Sequence, residues 1–195
     1  LTLFVGNPQT FPVTTAKTGT PPLFEIERSA LVRTSPEIAY AVVSDLTRSG
    51  EWSAECTGGA WVAGTPGTVG AVFRGDNVRA EDVVAWAPVA RGHWQTHAEV
   101  VAATPGREFG WAMRNGAGHR QESTWSFHLE PRDEGCLLAH RFRMGRATEG
   151  IVGITAEMDD EQRRRFFAEW GAKLAEDMAA TVERIKAVLE SGGEP

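Results

Sequence analysis

His140 is the residue whose neighbours best equip it for chemistry. It falls in the run Cys136–Arg146, where Cys136, Leu138, His140, Phe142 and Met144 alternate with Arg141 and Arg143. Its imidazole is therefore expected among apolar groups, where burial sets the charge state and the ring could act as acid or base. The plainer alternative is a core histidine satisfied by one hydrogen bond. Arg74, Asp76 and Asn77 lie near the end of a strand-like run and could reach the mouth of a pocket, or simply end a strand in water. Tyr40, the only tyrosine, could turn its hydroxyl inward from a helix. Metal chemistry finds little support. The five histidines include no His-Glu-x-x-His run, and His93 and His97 fall on an outward strand face. There is no Cys-x-x-Cys, no glycine-rich phosphate loop and no Gly-x-Ser-x-Gly elbow, so neither a metal nor a cofactor is implied.

The elements that must position these groups are marked by turn chemistry. Phe24–Arg33 alternates enough for a first strand. Ser35-Pro36-Glu37 then writes a helix start, with Ser as N-cap, Pro at the first helical position and an acid in the first turn. Gly64-Thr65-Pro66-Gly67, Pro105-Gly106, Asn115-Gly116 and Pro131–Gly135 divide later strand-like runs. Links this short suit antiparallel neighbours, because parallel strands need long crossovers. One link is different: residues 78–92, VRAEDVVAWAPVARG, are long enough for a lid or an extra edge piece. Near the C-terminus, Asp159, Asp160 and Glu161 place acids at a helix start. Phe167, Trp170, Leu174, Met178, Ile185 and Leu189 follow at helical spacing, and Gly192-Gly193 stops the run. Such a stripe needs a concave apolar partner, and the sheet is the only candidate.

Composition narrows the partners. A net charge of -6 argues against nucleic acid or an anionic membrane surface, which reward clustered Lys and Arg. No stretch has the length and apolarity of a membrane span. Cys56 and Cys136 are expected as free thiols in a reduced, cytoplasmic protein. Residues 1–23 carry Pro8, Pro12, Pro21 and Pro22 and read as an extended arm. Its Leu3, Phe4, Val5 and Phe11 call for packing on the domain or on a neighbouring subunit, which keeps a homodimer open.

Taken in order, Ser35-Pro36-Glu37, Ser44-Asp45, Glu51-Trp52-Ser53, Gly70–Gly75, Trp94 with Glu99-Val100-Val101, Pro105-Gly106-Arg107, and Trp125 with Glu130-Pro131 resemble the START-like (SRPBCC) superfamily. Within it, the bacterial polyketide cyclase/dehydrase group is the nearest resemblance. The resemblance implies an α+β helix-grip fold, a curved antiparallel sheet of about seven strands wrapped around a long C-terminal helix, with two short helices after the first strand. Residues 24–190 would form that domain, between the arm and a tail at 191–195. The fold does not name a reaction, since the superfamily holds cyclases, lipid carriers, hormone receptors and stress-response regulators.

Strand alternation assigns the inner face. Trp94, Thr96, Ala98 and Val100 share one side, as do Phe109, Trp111 and Met113, and likewise Trp125, Phe127 and Leu129. With Leu138, His140, Phe142 and Met144, and with Phe73, Tyr40, Trp170 and Leu174, they are the candidate wall of a pocket between sheet and helix. Ordinary core packing is the competing account of each. Three functions are compatible: a binder of a small apolar molecule, a polyketide cyclase or dehydratase with His140 as its catalytic group, and a protein-binding regulatory module. One inward histidine without a convincing partner favours the binder.

Overall fold

The computed structural model describes residues 21–191; most of the expected arm, and Gly192-Gly193, lie outside the described residues. Seven strands form one sheet: β1 (Phe24–Val32), β2 (Cys56–Ala63), β3 (Val72–Arg79), β4 (Gly92–Thr104), β5 (Glu108–Arg114), β6 (Arg120–Arg132) and β7 (Gly135–Met144). Their order is β1-β7-β6-β5-β4-β3-β2, antiparallel throughout. Helix α1 (Pro36–Val43) and a short 3-10 helix (Leu46–Glu51) follow β1. The Ser35 Oγ accepts from the Ile38 N–H at 3.3 Å, satisfying one of the donors that a helix start leaves unpaired. The Pro105-Gly106 turn holds because Gly106 adopts a φ of 68°, a left-handed conformation that costs glycine nothing.

Two helices close the chain. α3 (Asp160–Ser191) begins with a reciprocal cap: the Asp159 Oδ1 accepts from the Gln162 N–H at 2.8 Å, while the Asp159 N–H donates to the Gln162 Oε1 at 3.0 Å. Phe166, Trp170, Leu174, Met178, Val182 and Ile185 are buried along it. Each such burial is worth about 1.5–3 kcal/mol, so the stripe fixes the helix against the sheet. The stripe starts at Phe166 and not, as the sequence reading has it, at Phe167. One residue is about 100° around a helix, and four residues before Trp170 return to the same face. Phe167 swings aside to meet Phe24 of β1, ring centroids 5.8 Å apart. α2 (Glu149–Thr155), capped by Thr148, has no counterpart in the sequence reading.

The long link after β3 forms turns and not an extra strand, and it packs into the core around the first half of α3. Ala87 and Val89 are buried in the cluster around Phe166 and Trp170, and the Trp86 indole donates to Glu169 at 2.7 Å. Arg91 holds the loop from within, donating to the carbonyls of Glu81, Val83, Val84, Ala87 and Val89. The loop therefore docks beside the N-terminal half of α3, in the cluster that Phe166 and Trp170 share with the sheet.

Candidate functional site

Between the concave face of the sheet and α3 lies a cavity of about 500 Å³. Phe73, Trp94, Thr96, Ala98, Trp111, Met113, Trp125, Phe127, His140, Phe142, Met144, Trp170 and Leu174 line it. Phe109, Leu138 and Tyr40 do not. Leu138 is fully buried in a cluster with Val32, Val43 and Ile185. Phe109 is fully buried and meets Tyr40 edge-on, with ring centroids 6.2 Å apart. Burial raises the pKa of the Tyr40 phenol. Alternation tells which face a side chain takes but not how far along the strand the cavity extends, and at these positions α1 and the C-terminal half of α3 pack the space solid.

The wall at the β6–β7 side is a stack of rings. His140 lies 4.5 Å from the Phe127 centroid at 24°, with Trp125 at 5.5 Å and Trp111 at 6.5 Å. Among the described residues neither ring nitrogen has a hydrogen-bond partner, and both are buried. Burial pushes the His140 pKa down to about 3. The imidazole is thus neutral at physiological pH and serves as one more plate of the aromatic wall.

The opposite side carries charged groups that alternation could not assemble. The Arg79 guanidinium donates through Nε and Nη2 to both Glu55 oxygens, each at 2.9 Å, and through Nη1 to the Ala90 carbonyl at 2.9 Å. It lies 4.5 Å from the Trp94 ring and 5.0 Å from the Trp170 ring, a cation held between two π-faces. Lys173 of α3 pairs with Glu55 and, at 2.6 Å, with Asp177. Burial works against the Glu55 carboxylate, but hydrogen bonds from Arg79 and Lys173 outweigh it and hold its pKa below the usual range. Two acids and two bases cancel, so this part of the wall is closed on itself. It ties α3 to the β2–β3 edge, while Phe24 and β1 hold the other side. Of its members only Lys173 and Asp177, at i and i+4, are neighbours along the chain.

Asn77 also lines the cavity and is 7% exposed. Its neighbours Arg74 and Asp76 point the other way and pair with each other at 3.3 Å, both more than a third exposed. At the rim, the Gly116 N–H in the β5–β6 hairpin donates to the Glu149 Oε2 at 2.8 Å, and the Glu149 N–H donates to the Gln121 Oε1 at 2.7 Å. The start of α2 is therefore part of the mouth. Cys56 lines the cavity and Cys136 is buried in the core; neither is in a disulfide. Among the described residues, no helix is long and apolar enough to cross a membrane.

This arrangement has solved counterparts. The Polyketide_cyc-like protein Cgl2372 from Corynebacterium glutamicum is 28% identical, with a TM-score of 0.60 over 89% of this chain and 94% of that one. The di-domain ARO/CYC StfQ from the steffimycin biosynthetic pathway superimposes with a TM-score of 0.61 at 13% identity, over 86% of this chain and 51% of its own. The di-domain ARO/CYC BexL from the BE-7585A biosynthetic pathway gives 0.60 at 14%, over 88% and 51%. This chain thus spans about half of each di-domain protein, and at these identities the likeness is one of fold. No curated protein matches the sequence. The family model for polyketide cyclase / dehydrase and lipid transport matches residues 24–190, and the chain belongs to that family.

Proposed function

We propose that this protein binds a small hydrophobic molecule, of aromatic polyketide-like or lipid-like character, in the cavity between the sheet and α3. The observation that carries this reading is the wall itself: about 500 Å³ of space bounded by Trp94, Trp111, Trp125, Phe127, Phe142 and Trp170. Apolar cavities of this size with few polar groups are the usual form of small-molecule sites. The family and the ARO/CYC neighbours support a second reading, a cyclase or dehydratase in which the pocket folds a flexible chain and a side chain moves protons. Binding without turnover leads, because His140 is neutral and sealed and Glu55, Arg79, Lys173 and Asp177 in the wall are already paired with one another.

The test is direct titration with a neutral, polarity-sensitive dye. Binding near 1:1 with quenching of tryptophan fluorescence is expected, since Trp52, Trp94, Trp111, Trp125 and Trp170 line the space. Ala98→Trp, 5% exposed on the same wall, fills the cavity and weakens binding while the protein stays folded. Dye binding that is unaffected by Ala98→Trp would place the ligand elsewhere. His140→Gln separates the two readings: a binder loses little, whereas a cyclase loses turnover more than affinity.

A further inference from the structure

The aromatic wall accounts for affinity toward apolar rings, but not for Asn77. Its side-chain nitrogen donates to the Gly75 carbonyl at 3.1 Å and the Thr96 Oγ1 at 3.2 Å, with the Trp94 carbonyl at 3.5 Å. Carbonyl oxygens only accept, so these contacts fix which end of the amide is nitrogen. The Asn77 Oδ1 takes no hydrogen bond from any described residue and is not sealed inside the protein, as the His140 nitrogens are. An accepting oxygen is thereby held in place at the cavity wall. Thr96 is its complement. Its oxygen accepts from Asn77, which leaves its O–H free to donate, and Thr96 also lines the cavity. Gly75 keeps the space in front of them open, since a Cβ there would stand 2.9 Å from the Thr96 Oγ1.

Resting on the proposed binding function, we propose that Asn77 and Thr96 form a specificity-determining pair that recognises a hydroxyl group on the ligand. The ligand class is an uncharged aromatic or alicyclic molecule bearing a hydroxyl: its O–H donates to the Asn77 Oδ1 and its oxygen accepts from the Thr96 O–H. A keto or ether oxygen makes only the second bond and leaves the Asn77 oxygen buried against an apolar surface. A carboxylate is disfavoured, because it would face that oxygen without a proton to offer while the nearby Arg79 and Lys173 are already paired. Sites built to hydrogen-bond a hydroxyl discriminate strongly against analogues lacking it, since their own polar groups are left unpaired.

The experiment is calorimetric titration of the full chain with biphenyl, 4-hydroxybiphenyl and 4-methoxybiphenyl at neutral pH, where the phenol is uncharged. The readouts are the ratio of the methoxy and hydroxy dissociation constants and the ratio of each to that of biphenyl. In the native protein, preference for 4-hydroxybiphenyl is expected at about ten-fold or more. Asn77→Ala should bring the methoxy-to-hydroxy ratio below about three-fold, whereas Thr96→Val, which removes the bond both oxygens share, should weaken both oxygenated probes relative to biphenyl by about three-fold or more, with Thr96→Ser restoring them. If Asn77→Ala fails to fold, the native methoxy-to-hydroxy ratio and the loss relative to biphenyl in Thr96→Val decide together. Equal affinity for all three probes in the native protein overturns hydroxyl recognition and leaves the binding function standing. A methoxy-to-hydroxy ratio that survives Asn77→Ala, or oxygenated probes that keep their affinity relative to biphenyl in Thr96→Val, overturns the assignment to this pair. If no probe binds, the binding function fails and this inference with it.

Discussion

His140 ties part of this protein's acid stability to one ring. The group is fully enclosed, and burial lowers its pKa to about 3, whereas an unfolded-chain histidine titrates near 6.5. Below about pH 6.5 the unfolded chain binds a proton at this position that the folded chain refuses, so stability falls as pH falls from about 6.5 toward 3. At about 1.36 kcal/mol per pH unit, moving from pH 7.5 to pH 5 removes about 2 kcal/mol through this residue alone. Depressed carboxylates such as Glu55 also weaken the fold in acid, so the comparison must isolate His140. His140→Phe does so. It keeps a ring against Phe127 and Trp125 and removes both unpartnered nitrogens. Urea unfolding of both proteins at pH 7.5 and pH 5 gives four stabilities. The native protein should lose about 2 kcal/mol more than the variant across that interval. A differential loss under about 0.5 kcal/mol, or a His140 proton resonance titrating near pH 6.5, would refute the account of a neutral, enclosed imidazole.

The helix stripe and the thiols offer two further checks. Phe166→Ala, at a fully buried position, should cost about 3–5 kcal/mol in unfolding free energy, and Phe167→Ala distinctly less; equal costs would show that the helix face is misassigned. Cys56 and Cys136 both have pKa values raised by burial, so each thiol should react slowly in the native protein, and titration in denaturant under non-reducing conditions should count two. A count of zero would mean a bridge that joins the cavity to the core.

Much of the frame was legible in residue order because it is local. Ser35-Pro36-Glu37 caps a helix with its own side chains, the short turns can only join antiparallel neighbours, and alternation from Trp94 to Ala98 and from Leu138 to Met144 names the inner face. The family resemblance rested on the same local marks. Where the apolar face becomes an empty space was a tertiary matter. Leu138 and Phe109 obey the same alternation as His140 and Trp111, yet α1 and Ile185 fill the volume in front of them. The helix start was half legible: the acids at Asp159–Glu161 were visible, but the reciprocal bond to Gln162 and the choice of Phe166 over Phe167 depend on how the helix is rotated against β1.

The polar side of the cavity was the least legible part. Glu55, Arg79 and Lys173 lie far apart in the chain and meet only because the end of β3 and the middle of α3 both reach the loop before β2. Each residue read alone is an ordinary charged side chain, and its burial becomes tolerable only when its partners arrive. Asn77 and Thr96 are the same case at smaller scale. Their sequence patterns announce a strand, and the β3–β4 register decides that the amide nitrogen is spent on Thr96 and on backbone carbonyls, leaving its oxygen without a partner among the described residues. Periodicity and capping act over a few residues and can be read from the chain. Pairing of buried polar groups acts across the fold and exists only once it has closed.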